Sequence, residues 1–153
     1  MSKQVYIVKN SKGEVIGARQ SARPYTHALI INDSRVESYS ASEAGANRAI
    51  SKFFQYKDEA FKAATQTAVA PVECIGAAEP VKLTVEGYAY KIKTFHAYKY
   101  AVINTATGRP AYFAQPQEAL CYTFEQAQAH AAWLTRREGW SLEIAPVIDP
   151  RAS

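Results

Sequence analysis

Apolar and polar positions alternate along much of the chain and switch in two places to a helical period. Gln4 to Lys9 (QVYIVK) is β-branched and alternating, Asn10-Ser11-Lys12-Gly13 breaks it, and Glu14 to Arg19 (EVIGAR) resumes it, which predicts a hairpin. Arg23-Pro24 punctuates the chain before Tyr25 to Ile31 (YTHALII), apolar enough for a central third strand, and Asp33 to Ser40 reads as a polar loop. Ser42 is placed to cap a helix that carries Ala46, Ile50 and Phe53 on one stripe. Lys57 falls where that stripe should continue, so a bend or a second short helix is expected at Gln55 to Asp58.

Val69 to Pro80 (VAPVECIGAAEP) mixes prolines, glycine and small residues and reads as an extended connector. Beyond it, Leu83 to Phe95 (LTVEGYAYKIKTF) is strand-like. Tyr98 to Asn104, the turn Thr105 to Gly108 and Arg109 to Ala114 predict a second hairpin. Ala119 to Tyr122 reads as a short strand. Thr123 opens a capped helix with Gln126 at its third position and a stripe of Ala127, Ala131 and Leu134; Gly139 stops it, and Ser141 to Val147 forms a last strand.

These elements place the chain in the α+β class: an antiparallel sheet from two hairpin-plus-helix units, with the helices on one face. The expected organisation is one domain over 1–153, with subunits 1–68 and 81–148 joined by the connector 69–80. The two units overlay as a pseudo-repeat. Tyr6-x-Val8-x-Asn10 before Gly13 matches Tyr100-x-Val102-x-Asn104 before Gly108, and the Ser42 helix matches the Thr123 helix.

Composition changes this picture little. A chain of 153 residues that is 48% hydrophobic can bury a core without staples. Cys74 and Cys121 are isolated from each other, so reduced packing residues are expected, with a cytoplasmic setting. The longest uncharged run, Ala63 to Val72, is far shorter than the about 20 apolar residues that span a bilayer, and no membrane association is expected.

Charge adds more. The net charge is +4, and two basic regions coincide with the expected strands: residues 1–36, with Lys3, Lys9, Lys12, Arg19, Arg23 and Arg35 against Glu14 and Asp33, and residues 82–109, with Lys82, Lys91, Lys93, Lys99 and Arg109 against Glu86. Tyr88 to Tyr100 holds four tyrosines, three lysines and no acid. On a single strand Tyr88, Tyr90 and Ile92 would face one way and Lys91 and Lys93 the other. That pattern fits an amphipathic strand with half-buried tyrosines. It also fits a surface on which lysines meet phosphates while Phe95 or a tyrosine stacks on a base.

The outline from Tyr100 to Leu134, three strands and a capped helix turning at Gly108, resembles DNA-binding domains whose sheet lies in the major groove. The arm-binding domains of phage integrases and plant-type AP2 domains are built so. The resemblance is topological and implies a sheet that reads DNA; the interleaved arginines and tryptophans of AP2-type sheets are missing. The first unit is similar in outline to a double-stranded RNA-binding domain, with Ser42-Glu43-Ala44-Gly45 in place of the basic helix opening.

Catalytic chemistry has no local support. His27, His96 and His130 form no HExxH or HxH pattern, so neither a metal nor another cofactor is expected. No local motif prepares a thiolate, and no phosphate-binding loop or nucleophile elbow is present. The expectation is a non-enzymatic binding module that contacts nucleic acid through Lys91, Lys93, Phe95, Lys99 and Arg109, with Arg19 and Arg23. The alternative is a small accessory or inhibitor protein of phage or mobile-element type that binds a protein partner through Trp133, Arg136, Arg137 and Trp140, where tryptophan and arginine supply hot-spot chemistry. A small enzyme using His27 or a cysteine is the third reading.

Overall fold

The computed structural model describes residues 3–150. The chain divides after Ala78 into two compact units. The first contains β1 Gln4–Lys9, β2 Val15–Ser21, β3 His27–Ile31, β4 Arg35–Ser40, α1 Glu43–Phe54, α2 Glu59–Ala64 and β5 Thr67–Ala77. Every strand pair is antiparallel, and the order across the sheet is β2-β1-β5-β3-β4.

Local chemistry explains the turns. In the β1–β2 turn, Asn10 Oδ1 accepts the N–H groups of Lys12 and Glu14, both at 3.0 Å. Asn32 and Asp33 take φ of 53° and 55°, the two left-handed positions of a tight hairpin turn that these residue types tolerate. The expected polar loop 33–40 is therefore strand β4. Its polar side chains disguised an alternation in which Arg35 and Glu37 are exposed and Val36 turns inward. Ser42 Oγ accepts the Gly45 N–H at 3.0 Å to start α1. The break expected at 55–58 is present, and Asp58 caps α2 by accepting the Phe61 N–H at 2.7 Å. α1 packs on β3, β4 and β5, with Ala46 fully buried.

The expected connector 69–80 is corrected by β5, which runs through the middle of the sheet and pairs with both β1 and β3. Its proline survives in a strand because His27 opposite Pro71 is the first residue of β3, at the end of that ladder.

The second unit contains β6 Val81–Val85, β7 Lys91–Thr94, β8 Tyr100–Asn104, β9 Arg109–Pro110, a short 3-10 turn Pro116–Ala119, β10 Leu120–Cys121, α3 Phe124–Glu138 and β11 Leu142–Ile148. The single strand expected from Leu83 to Phe95 is instead the hairpin β6–β7. Gly87 at φ 83° reverses it, and Tyr88 lies in the turn. The strand expected at 109–114 shrinks to two residues. β9 and β10 lie end to end along one edge of β8, and β11 lies on the other. Thr123 Oγ1 accepts the Gln126 N–H at 3.1 Å, and Gly139 at φ 72° ends α3, which packs on β8, β10 and β11.

Each unit runs hairpin, hairpin, helix, strand, and each inserts its last strand between the first strands of its hairpins: β2-β1-β5-β3-β4 in one, β7-β6-β11-β8-β9 in the other. By position, β1–β2 answers to β6–β7 and β3–β4 to β8–β9. The overlay of the Asn10 turn on the Asn104 turn pairs β1–β2 with β8–β9 instead.

The second sheet is covered on both sides. Val102, Leu142 and Ile144 meet Ala127 and Leu134 of α3. The opposite face, carrying Ala101, Ile103 and Ala145, is filled by Val85, Leu120, Tyr90 and Ile92 because the sheet curls upon itself. A groove-reading sheet needs that second face free, and here Ala101 and Ile103 are fully buried. The likeness to integrase-type and AP2-type domains stops at this point.

Candidate functional site

The basic residues of the second unit resolve into a cluster and two outliers. On β6, Leu83 and Val85 point into the curl and Lys82 points out; on β7, Ile92 points in and Lys91 and Lys93 point out. Lys82 stands directly opposite Lys93, and Lys91 opposite Thr84. Side chains directly opposite across an antiparallel pair have Cβ atoms about 5 Å apart, and like charges there are destabilising. None of the three lysines has an acidic partner among the described residues, and α3 leaves this face uncovered. Lys82 belongs to the basic region 82–109 of the sequence, but its place opposite Lys93 depends on the turn at Gly87.

Lys99 is exposed just before β8 and Phe95 is half-buried just after β7, so neither joins the lysine face as a strand neighbour. Arg109 is exposed on β9 and lines an open cleft of about 830 Å³ with Tyr90, Asn104, Gly108, Tyr112 and Trp140. Burial raises the Tyr90 hydroxyl above its ordinary pKa, and the nearby Tyr112 hydroxyl adds to the effect. Arg19 and Arg23 belong to the first unit. Arg19 lies over the rings of Tyr25 and Tyr39, with Cζ 5.4 and 5.7 Å from their centroids, and Arg23 is exposed in the loop after β2.

The four residues expected at a protein interface separate. Trp140 packs against the core under α3 and lines the cleft, while Arg136 is exposed. Trp133 and Arg137 converge on Phe113, which sequence reasoning missed. The Arg137 guanidinium carbon is 3.9 Å from the Phe113 ring centroid, and the Trp133 ring meets Phe113 edge-on at 5.8 Å. The loop carrying Phe113 is pinned by Glu118, whose carboxylate accepts the N–H groups of Phe113, Ala114 and Gln115 at 3.2, 3.1 and 2.7 Å. Desolvation pushes the Glu118 carboxyl up, but these three donors and the nearby His130 hold it below its ordinary pKa. A loop with few apolar anchors gave no sequence signal for this placement.

His130 joins this cluster, its ring stacked on that of Trp133 with centroids 6.3 Å apart. His130 Nε2 lies 3.0 Å from the Ala111 carbonyl oxygen, and His27 Nδ1 lies 2.8 Å from Thr26 Oγ1. Burial pushes the Cys121 thiol up to about 12, which keeps it protonated and inert. Among the described residues no three His, Cys, Asp or Glu side chains gather as metal ligands, and no helix is long and apolar enough to cross a membrane. Comparison of the chain with protein-family models, curated proteins and solved structures returned no match.

Proposed function

We propose that the protein is a binding module whose second unit holds nucleic-acid phosphates on the outer face of the β6–β7 hairpin. The observation that carries this reading is the direct opposition of Lys82 and Lys93, with Lys91 on the same face and no acidic partner for any of them among the described residues. Repulsion across that pair costs stability in the free protein, and a polyanion laid across the hairpin relieves it. Lysine on an edge strand also blocks edge-to-edge pairing. Edge protection needs no second lysine opposite the first, whereas phosphate binding benefits from the concentration of charge.

The test is a salt titration with a short fluorescein-labelled oligonucleotide, single-stranded and duplex, followed by anisotropy. Three phosphate contacts predict that the logarithm of affinity falls with the logarithm of salt at a slope of about 2 to 3. A variant combining Lys82→Gln, Lys91→Gln and Lys93→Gln should flatten that dependence while leaving the thermal unfolding temperature unchanged or higher. Absence of binding at low salt removes the reading.

A further inference from the structure

The shared strand order makes the two units controls for each other. In the first, the outer strands of the two hairpins, β2 and β4, approach and close the seam of the curled sheet. Gly17 makes that approach possible, since a Cβ at this position would lie 2.7 Å from Val36 Cγ2 and 3.1 Å from the Tyr39 hydroxyl. Arg19 against Tyr25 and Tyr39 fills the rest, and at the turn end Ser11 donates its N–H and hydroxyl to Asp33, joining the two hairpin loops.

In the second unit, residues at the corresponding seam leave it open. β7 has four residues and β9 has two, and a cleft of about 830 Å³ lies at the turn end, lined by Ala89 and Tyr90 just before β7 and by residues 107–111 around β9. Its volume lies within the about 300–1,000 Å³ typical of small-ligand sites. Three aromatic side chains line it, Tyr90, Tyr112 and Trp140, together with one cation, Arg109, and no carboxylate. The guanidinium of Arg109 has no ion-pair partner among the described residues. Asn104 spends its side-chain oxygen on the Ala106 N–H at 3.0 Å, which leaves its amide nitrogen to donate. Rings for stacking, a cation for a phosphate and an amide donor suit a flat, hydrogen-bonding, anionic ligand. Tyr90, on the cleft, directly precedes Lys91, whose side chain leaves the other face, and because β7 is the edge strand a bound chain can pass around that edge from the cleft to the lysines.

We infer that this cleft takes an unstacked base of single-stranded nucleic acid while Lys82, Lys91 and Lys93 hold neighbouring phosphates; the inference rests on the nucleic-acid reading of the lysine face. The base enters between tyrosine and tryptophan rings, and Arg109 meets its own or the adjoining phosphate. Single strands are thereby preferred to duplexes, whose bases are already stacked and paired.

The chain has two tryptophans, so a Trp133→Phe variant of the full chain leaves Trp140 as the only indole reporter. Three probes of equal length are titrated into it: single-stranded oligothymidylate, its duplex with oligoadenylate, and an abasic strand with the same phosphates. The expected result is quenching of Trp140 by oligothymidylate, with an affinity about ten-fold or more above those of the other two. Tyr112→Ala, at an exposed position, should remove most of that advantage and leave the abasic strand's affinity nearly unchanged, whereas Arg109→Gln, which removes a phosphate contact, should weaken the thymidylate and abasic strands alike. Equal affinities for all three probes without quenching overturn the cleft but leave the lysine face standing. No binding by any probe overturns both.

Discussion

Tyr56 holds φ at 66° between α1 and α2, and its side chain is almost entirely in solvent at 96% exposure. A left-handed backbone costs a residue with a Cβ about 1 kcal/mol, and this ring recovers nothing by burial. Tyr56→Gly should therefore raise stability by up to about 1 kcal/mol, less the extra freedom glycine adds to the unfolded chain. Denaturant unfolding followed by circular dichroism measures it; a loss of stability would mean that the ring makes a contact the fold depends on. The position was legible only in outline. Lys57 interrupting the apolar stripe announced a break at 55–58, but which residue would absorb the reversal depended on how Asp58 caps α2. At the same scale, Lys91 and Lys93 were recognisable from alternation, since lysines between half-buried residues must point to water. Phe113 was not, because Glu118 positions it through three backbone donors.

Hairpins are where the chain was easiest and hardest to read. Asn10 with Gly13 and Asn104 with Gly108 announced their turns, because few other residues accept those geometries. Asn32-Asp33 and Glu86-Gly87 produced equally tight reversals but stood beside polar or tyrosine-rich strands that masked them. Strand β5 escaped notice for a different reason. Small residues and proline reduce its apolar signal, and its pairing with β1 and β3 joins segments more than 30 residues away. Gly17 offers a direct probe of how those hairpins close. Gly17→Ala places a methyl group where Val36 already sits, and overpacking of this kind costs about 1–3 kcal/mol. The expected fall in urea midpoint should shrink when Val36→Ala is added, a coupling that a double-mutant cycle measures. Additive losses from the two substitutions would show that the seam is not held by this contact.

The whole molecule carries one cysteine in each unit, Cys74 in β5 and Cys121 in β10. Cys74 is exposed, whereas Cys121 is buried and its thiol is pushed up to about 12. Thiolate is the reactive form, so one equivalent of a thiol reagent should react promptly with native protein at neutral pH, and the second only as the second unit opens. Two fast equivalents would show that β10 opens readily. Mapping the slow thiol by mass spectrometry identifies the residue.

Hydrophobic alternation, turn chemistry and helix caps settled the α+β class, both main helices, six of the strands to within about two residues at each end and the basic character of the second unit's strands. All of these act over a few residues, within reach of the sequence alone. Tertiary structure decided the order in which strands pair, the burial of the sheet face that resembled a DNA reader, the opposition of Lys82 and Lys93, and the contrast between a closed seam and an open one. Those outcomes depend on which distant segments compete for the same sheet edge. That competition is resolved by packing around Leu83 and Ile103 in one unit and Val8 and Ile30 in the other, not by any local preference.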